Sequence, residues 1–293
     1  MKPRIPPRLL TAVKLTVTLA LLAAALRMIR PGELAGHFRA AAPAPLAAAA
    51  LIIILGGFAG AASWFCVLRL RLPGLRFRDA AACHWIGMFF NSFLPSNVGG
   101  DIVKGTLLAS SAAPPAFIVA SLLIDRAVNL AMLLGVGGAA WLLPRHGPLP
   151  AAAALALFLT LSAAALAALP RLLGTPPGRR FAIPFLLAAL ASQALKTGSN
   201  VIITSALGLG LPATGVWTVI PVFGVVSALP ISIGGLGPRE WVAQYIATPL
   251  NMDGTALVTL SLAGHLLTVL VNLLGAIPLL LRKAPPKNTP NAA

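Results

Sequence analysis

Six stretches of the chain are long and almost uninterrupted in their apolar character, and this feature limits the fold more than any other. A bilayer core about 30 Å thick takes roughly 20 apolar residues per helical crossing. Backbone groups in lipid must be paired within the protein, which leaves helices or a closed barrel. The stretches are Ala/Leu/Val tracts without period-two alternation. They therefore predict transmembrane helices at about 9–28, 45–68, 116–143, 149–169, 182–207 and 255–281.

Composition supports the same class of protein. Of the 293 residues, 58% are hydrophobic and only 10% are charged, whereas a soluble domain carries about 25% charged residues. The formal net charge is +16, from 22 basic and 6 acidic residues. Because the basic residues lie between apolar runs, they indicate membrane orientation and anionic headgroups rather than nucleic acid.

Two further apolar stretches, 80–112 and 215–250, are interrupted by proline and by paired glycines. Each is hydrophobic enough to enter the membrane, but Pro and Gly stop a helix from crossing in one piece. Irregular backbone at that depth is tolerated only when it is buried in protein or lines a wet cavity. We therefore predict two re-entrant helical hairpins within an all-α polytopic membrane protein.

Basic residues between the spans predict that both termini are cytoplasmic. The high usage of Ala, Arg, Pro and Gly is typical of a GC-rich bacterial genome, so we expect a bacterial inner membrane. The inner segments would carry Lys2, Arg4, Arg8, Arg69, Arg71, Arg76, Arg78, Arg171, Arg179, Arg180, Arg282, Lys283 and Lys287. Fewer basic residues fall in the outer loops: Arg30 and Arg39, with Arg27 at a span end, and Arg145. The basic start and the alanines at 23–25 also fit a cleaved signal peptide. The internal repeat described next uses this segment as its first helix, which favours retention.

The chain contains an internal repeat at an offset of 135 residues. Residues 92–104 (SFLPSNVGGDIVK) align with 227–239 (SALPISIGGLGPR), and Lys104 aligns with Arg239. Three spans separate the two hairpins, and this odd number predicts that the halves insert in opposite orientations. We expect a single membrane domain, 1–293, with repeats at about 9–143 and 149–281. Inverted repeats with broken helices are the architecture of many secondary transporters.

Asp125 and Arg126 lie well inside the predicted span 116–143. Each charge at a helix centre costs roughly 2.5–3.5 kcal/mol on insertion scales. Ser121, Asp125 and Asn129 recur every four residues and should form one polar stripe. Two interpretations stay open: a structural pair that clamps a neighbouring hairpin, or direct contact of Arg126 with an anionic headgroup.

The second half of each hairpin resembles the start of a helix, with glycines followed by an acidic residue. Backbone N–H groups at such a start can form an anion site, and Lys104 and Arg239 would each add a cation. The alternative is that Asp101 and Glu240 only cap their helices and that the glycines only form tight turns. The candidate residues here are Gly99, Gly100, Asp101, Lys104, Gly234, Gly235, Arg239 and Glu240.

Two more polar stripes are predicted to face a cavity. Gln193, Lys196, Thr197 and Asn200 share a face of the fifth span, and Ser261, His265, Thr268 and Asn272 share a face of the last. We add Lys196 and His265 to the candidate substrate-binding residues, although His265 also fits a hydrogen-bonded packing role. Gly56 and Gly60 form a GxxxG pattern typical of helix packing. The chain lacks HExxH, GxSxG, Walker and dinucleotide-binding patterns, so we expect no enzyme, metal or cofactor.

Three motifs, FFNSFLPSNVGGDIVKGTLL, SLLIDRAVNL and LPISIGGLGPREW, occur in this order. Through them the chain resembles the transmembrane family of lysylphosphatidylglycerol synthase/flippases along essentially its whole length. In two-domain relatives, this membrane half is implicated in moving an aminoacylated phospholipid between leaflets. The chain ends soon after its last span, so the resemblance implies transport without the aminoacyl-transferase domain. The shared motifs contain Asp101, Lys104, Asp125, Arg126, Arg239 and Glu240.

These observations predict a lipid transporter or flippase for an anionic or polyprenyl-linked (glyco)lipid, with the headgroup held between the two hairpins. One alternative is an intramembrane transferase that uses Asp125, Asp101 or Glu240 as a base. Another is a non-catalytic membrane partner of a separate lipid-synthesising enzyme.

Overall fold

A computed structural model describes residues 31–94, 99–109, 114–173, 179–229 and 235–281, with isolated positions at 16, 19, 23, 27 and 232. Within these ranges the protein is helical and has no β-strand. The helices are α1 (Pro31–Arg39), α2 (Pro43–Leu68), α3 (Phe77–Phe93), α4 (Gly99–Ala109), α5 (Pro115–His146), α6 (Pro148–Leu173), α7 (Arg179–Ala206), α8 (Ala213–Ala228), α9 (Pro238–Ala247), α10 (Gly254–Asn272) and α11 (Ala276–Leu281). Short 3₁₀ turns follow α9 (Thr248–Leu250) and join α10 to α11 (Leu273–Gly275).

Four segments of the described chain are long and apolar enough to cross a membrane: Pro43–Leu68, Pro115–His146, Phe181–Ala206 and Gly254–Leu281. They coincide with four of the six predicted spans. The predicted span at 149–169 forms α6, whose shorter apolar part is Pro148–Ala164. Most of the span predicted at 9–28 lies outside the described residues. The prediction of an all-α, multi-pass membrane protein is confirmed.

Both interrupted stretches form two helices joined by a break. We call α3 with α4 hairpin 1, and α8 with α9 hairpin 2. Parts of both tips, 95–98 in hairpin 1 and 230–231 and 233–234 in hairpin 2, lie outside the described residues. In hairpin 1 the helices run antiparallel, because Leu94 contacts Gly99 across the break and Gly87 lies against Lys104 further along. Re-entry of these hairpins into the membrane stays a prediction.

Proline and glycine account for where the hairpin helices end and begin. Leu94 and Leu229 have extended backbones at the ends of α3 and α8, and each precedes a proline that disfavours a helical conformation before it. Helix α9 begins at Pro238, where a missing N–H costs nothing. Gly237, just before it, has φ +87°, a conformation that a residue with a Cβ rarely adopts.

Hairpin 1 is closed by direct contact between two glycines. A Cβ on Gly100 would overlap the carbonyl oxygen of Gly87, and it would also meet the amide group of Asn91 at 2.6 Å. The absence of both side chains therefore allows α3 and α4 to pack with their backbones in contact.

The helix bounds repeat at the offset that the sequence predicts. Shifted by 135 residues, α2 falls on α7 and α3 on α8, while α5 falls on the segment from α10 to α11. The equivalent helices α2 and α7 pack against each other in antiparallel fashion. The N–H of Ala42 donates to the carbonyl of Ala206 (2.8 Å) at one end, and Gly60 lies against Ser192 further along. This antiparallel packing is what two halves of opposite orientation require.

Each half also packs onto the hairpin of the other half. Helix α5 contacts hairpin 2, where Gly137 lies against the ring of Pro221. In the equivalent arrangement, the end of the last span contacts hairpin 1, where Gly275 lies against the carbonyl of Trp85. Each hairpin therefore packs against helices of both halves.

Candidate functional site

A buried carboxylate in hairpin 1 binds two cations. Asp101, on the first turn of α4, accepts from Lys104 Nζ at 2.9 Å through Oδ1 and from Arg126 Nε through Oδ2. The side chains of Asp101 and Lys104 are 10% and 8% exposed, whereas that of Arg126 is 37% exposed. Arg126 comes from α5, so this carboxylate ties the long span to the hairpin.

An aromatic ring completes the surroundings of Lys104. The ammonium group lies 4.9 Å from the centroid of the Trp64 ring on α2, within the range of a cation–π interaction. The indole nitrogen of Trp64 donates to Ser121 Oγ at 3.1 Å, which fixes the ring against α5. The cation therefore lies among hairpin 1, α2 and α5.

Asp125 belongs to a separate hydrogen-bond network. Its Oδ1 accepts from Ser63 Oγ at 2.8 Å and from Asn129 Nδ2 at 3.0 Å. Gln193 on α7 donates to Asn129 Oδ1 at 2.7 Å, which extends the network from the first half of the chain to the second. A buried carboxylate requires such partners, because its desolvation would otherwise be costly.

The predicted stripe on α5 is present, since Ser121, Asp125 and Asn129 all contact α2 at Ser63 or Trp64. Asp125 and Arg126 do not pair with each other. Arg126 instead pairs with Asp101 of hairpin 1, and both interpretations of its role stay predictions.

The second half places a different set of groups at the equivalent position. Glu240, fully buried on α9, accepts from Ser261 Oγ at 2.6 Å, and Ser261 aligns with Arg126 at the repeat offset. Arg239 aligns with Lys104, and its Nε donates to the carbonyl of Gly235 at 3.2 Å. Its Nη2 is buried without a hydrogen-bond partner in the described part of the chain. The two halves therefore share positions but differ in charge pairing.

The expected free N–H groups at the half-helix starts are not found at two of the glycine positions. The N–H of Gly100 donates to Asn91 Oδ1 at 2.7 Å, and that of Gly237 donates to Glu240 Oε2 at 2.7 Å. Glu240 therefore acts as a helix cap, as the alternative interpretation predicts. Asp101 does not follow that alternative, because its carboxylate binds Lys104 and Arg126. Gly234 lies outside the described residues.

The two additional stripes have distinct surroundings. Lys196 is partly buried on α7, and its stem runs along Gly56 of α2. No carboxylate of the described residues lies within ion-pair distance of its ammonium group. On α10, His265 is partly buried, and Asn272 donates to Ser92 Oγ of hairpin 1 at 3.0 Å. Helix α10 thus contacts hairpin 2 through Ser261 and hairpin 1 through Asn272.

Four residues of this region were not selected from the sequence: Ser63, Trp64, His84 and Asn91. Ser63 and Trp64 contact the α5 stripe, and Asn91 caps α4 across the hairpin. His84 is buried on α3. Only His84 stands out in the sequence, because it is a titratable residue inside an apolar stretch. The roles of Ser63, Trp64 and Asn91 depend on which helix lies opposite each of them.

An open cavity of about 1020 Å³ lies between the base of hairpin 1 and α11. Its walls are mostly apolar and include Leu107 and Pro278, whereas Arg71, Arg78 and Asp79 contribute charge. This combination of apolar walls and a few charged groups is typical of sites for amphiphilic ligands. Among the described residues, no three His, Cys, Asp or Glu side chains lie together as a metal site would require.

The family model described as the lysylphosphatidylglycerol synthase TM region matches residues 11–275, which is most of the chain. No curated protein and no solved structure matches the chain. The matched region covers α1 to α10 and both hairpins, and it includes Asp101, Lys104, Asp125, Arg126 and Lys196. The chain belongs to the lysylphosphatidylglycerol synthase transmembrane-region family, a family of membrane domains associated with lipid-related function.

Proposed function

We propose that this protein is a lipid transporter or flippase, which moves an anionic or polyprenyl-linked lipid between the leaflets of a bacterial inner membrane. The observation that supports it best is the group of buried charges at hairpin 1. Intramembrane charges cost several kcal/mol in total at roughly 2.5–3.5 kcal/mol each. Charged residues with such a cost typically occur in membrane segments where they bind a substrate or line its pathway.

The sign of the buried charge favours an anionic headgroup. Lys104, Arg126 and Lys196 lie in this region with two carboxylates, Asp101 and Asp125. The region therefore contains three basic side chains and two carboxylates, which is an excess of one positive charge. In the second half, Glu240 binds its helix cap and Ser261, and Nη2 of Arg239 has no hydrogen-bond partner among the described residues. An anionic headgroup would complement an excess cation of this kind in either half.

The arrangement of the halves supports movement between leaflets. The equivalent helices α2 and α7 are antiparallel, and each half packs on the other's hairpin. If the two halves exchange conformations, a cavity open to one side becomes open to the other. The headgroup would cross near the hairpins while the acyl or prenyl tails stay in the bilayer. In this proposal both termini are cytoplasmic.

The test is leaflet exchange of a fluorescent phosphatidylglycerol in proteoliposomes, followed by its accessibility to a membrane-impermeant quencher. We expect Arg126→Ala to lose most of the exchange, because Asp101 would keep only Lys104 as a partner. The control is Arg145→Ala, which removes an exposed guanidinium stacked on Trp141 with 3.5 Å from its Cζ to the ring centroid. Wild-type exchange in Arg126→Ala, at equal insertion, would remove Arg126 from the transport site.

The same preparations distinguish the other two functions. A chemically altered lipid formed by the purified protein would indicate a transferase. Stoichiometric co-purification with a lipid synthase, together with unchanged function in Arg126→Ala, would indicate a non-catalytic partner.

A further inference from the structure

A buried histidine in hairpin 1 has no hydrogen-bond partner for either ring nitrogen in the described part of the chain. His84 lies on α3 and is 7% exposed, and both Nδ1 and Nε2 are themselves buried. A neutral imidazole has one donor and one acceptor, and leaving either of them buried and unpaired is unfavourable. Such a ring would be stabilised by a ligand that forms hydrogen bonds with its nitrogens.

The ring is directed at the packing contact between α2 and α7. A Cβ built on Gly60 would lie 3.3 Å from His84 Cε1 and Nε2, and 3.2 Å from Ser192 Oγ. One turn away on the same face of α2, Gly56 lies against the stem of Lys196. The GxxxG pattern on α2 therefore makes room for a histidine and a lysine from two other helices.

Two lysines lie on the helices packed around this ring. The stem of Lys104 runs along Gly87, one turn after His84 on α3, and the stem of Lys196 on α7 runs along Gly56, one turn from Gly60 on α2. Asp101 pairs with Lys104, whereas Lys196 has no carboxylate within ion-pair distance among the described residues. Ser192 Oγ already donates to the carbonyl of Gly56 at 2.9 Å. The site thus combines an unpaired cation with an unpaired ring donor.

We infer that His84, Lys104 and Lys196 form a phosphate-binding subsite between hairpin 1 and the α2–α7 contact. This inference rests on the proposed function, because it assigns the phosphate group of the transported lipid to that position. The imidazole N–H is a neutral donor and the two ammonium groups are charged donors, and both kinds bind phosphate oxygens well. An uncharged lipid headgroup would leave the Lys196 ammonium group without a direct ion pair among the described residues.

Binding can be measured without transport, by thermal unfolding of the purified full chain in detergent. The probes are dioctanoyl phosphatidylglycerol, dioctanoylglycerol, which has the same tails and no phosphate, and inorganic phosphate. A ligand that binds only the folded protein raises the Tm by an amount that grows with the logarithm of its concentration above the Kd. We expect a rise with phosphatidylglycerol and none with dioctanoylglycerol.

The variants are His84→Leu, which removes the ring nitrogens at similar volume, His84→Gln, which keeps a donor, and Lys196→Met. We expect at least a tenfold weaker affinity for phosphatidylglycerol in His84→Leu and Lys196→Met, with partial recovery in His84→Gln. His146→Leu, an exposed histidine at the end of α5, is the control and should bind as the wild type does. If His84→Leu does not fold, Lys196→Met and His84→Gln carry the test.

Unchanged phosphatidylglycerol affinity in the folded His84→Leu and Lys196→Met variants would overturn the subsite. An equal rise with dioctanoylglycerol would also overturn it. A rise with inorganic phosphate alone would overturn the assignment to a lipid. Binding that is lost in the variants, in a protein without leaflet exchange, would support the subsite and refute the proposed transport. Leaflet exchange by the wild-type protein, together with unchanged phosphatidylglycerol affinity in His84→Leu, would support the proposed transport and refute the subsite.

Discussion

Asp101→Asn should strongly destabilise the protein, because it removes the carboxylate that two buried or half-buried cations share. Lys104 and Asp101 are both at most 10% exposed and lie 2.9 Å apart. Breaking a buried pair by removing one partner costs about 3–5 kcal/mol. Arg126 is 37% exposed, so solvent screens its loss and adds about 1 kcal/mol or less. The expected total is therefore dominated by Lys104.

The chain offers a matched control on its surface. Asp79 also has two cationic partners, Arg76 at 3.1 Å and Arg78 at 3.7 Å, but their side chains are 70% and 79% exposed. Because exposed ion pairs contribute about 0–1 kcal/mol, Asp79→Asn should change stability very little. Both variants remove one acidic charge, so any general effect of net charge is common to them.

The assay is the free energy of unfolding in a mixed detergent system, measured on wild type, Asp101→Asn and Asp79→Asn. A further variant, Asp101→Leu combined with Lys104→Met, replaces both charges with apolar side chains. It should recover much of the lost stability, because a buried pair replaced as a whole is often neutral. Equal stabilities of Asp101→Asn and Asp79→Asn would refute the reasoning, since burial would then make no difference.

Three other predictions concern hairpin packing and the contacts between halves. Gly100→Ala should prevent hairpin 1 from closing and reduce the yield of folded protein, measured by size-exclusion chromatography, whereas Gly74→Ala, with open space around it, should not. Ser92→Cys with Asn272→Cys should be cross-linked by a short bifunctional thiol reagent, because Asn272 Nδ2 lies 3.0 Å from Ser92 Oγ; absence of cross-linking would contradict that contact. Glu240→Gln should lower thermal stability by about 1–3 kcal/mol, because one buried oxygen becomes a donor; an unchanged Tm would contradict the dual role of this carboxylate.

Much of the fold could be predicted because lipid imposes simple requirements on a sequence. A span such as Pro43–Leu68 needs only length and apolar character, and both can be counted along the chain. The hairpin breaks could be predicted from proline and glycine, which stop helices by local sterics. The offset of 135 residues was readable because the same breakers recur, and the helix bounds repeat at that offset.

The partners within the site could not be predicted in the same way. Asp125 and Arg126 are conspicuous in sequence, but their choice of Ser63 and Asp101 depends on how helices cross. The role of His84 could not be predicted from the sequence, because a single histidine in an apolar stretch is usually a packing residue. Its unpaired nitrogens become visible only when the neighbouring helices are in place. Likewise, Gly56 and Gly60 indicated helix packing, whereas they make room for polar side chains.

The repeat also hides an asymmetry that the alignment does not reveal. Lys104 and Arg239 occupy equivalent positions, but Lys104 has a carboxylate partner and Arg239 does not within the described residues. Glu240 lies next to Arg239 in sequence, and its oxygens bind Gly237 and Ser261 instead. Charge pairing therefore differs between the halves even where the residue types correspond.

Leaflet exchange by the wild-type protein is the most direct measurement of the proposed function. Folded protein in proteoliposomes is compared with empty liposomes, using labelled phosphatidylglycerol, a labelled polyprenyl phosphate and a labelled uncharged lipid. We expect exchange of at least one anionic probe well above the empty liposomes, and little exchange of the uncharged lipid. No exchange of either anionic probe, in protein shown to be folded and inserted, would contradict a flippase.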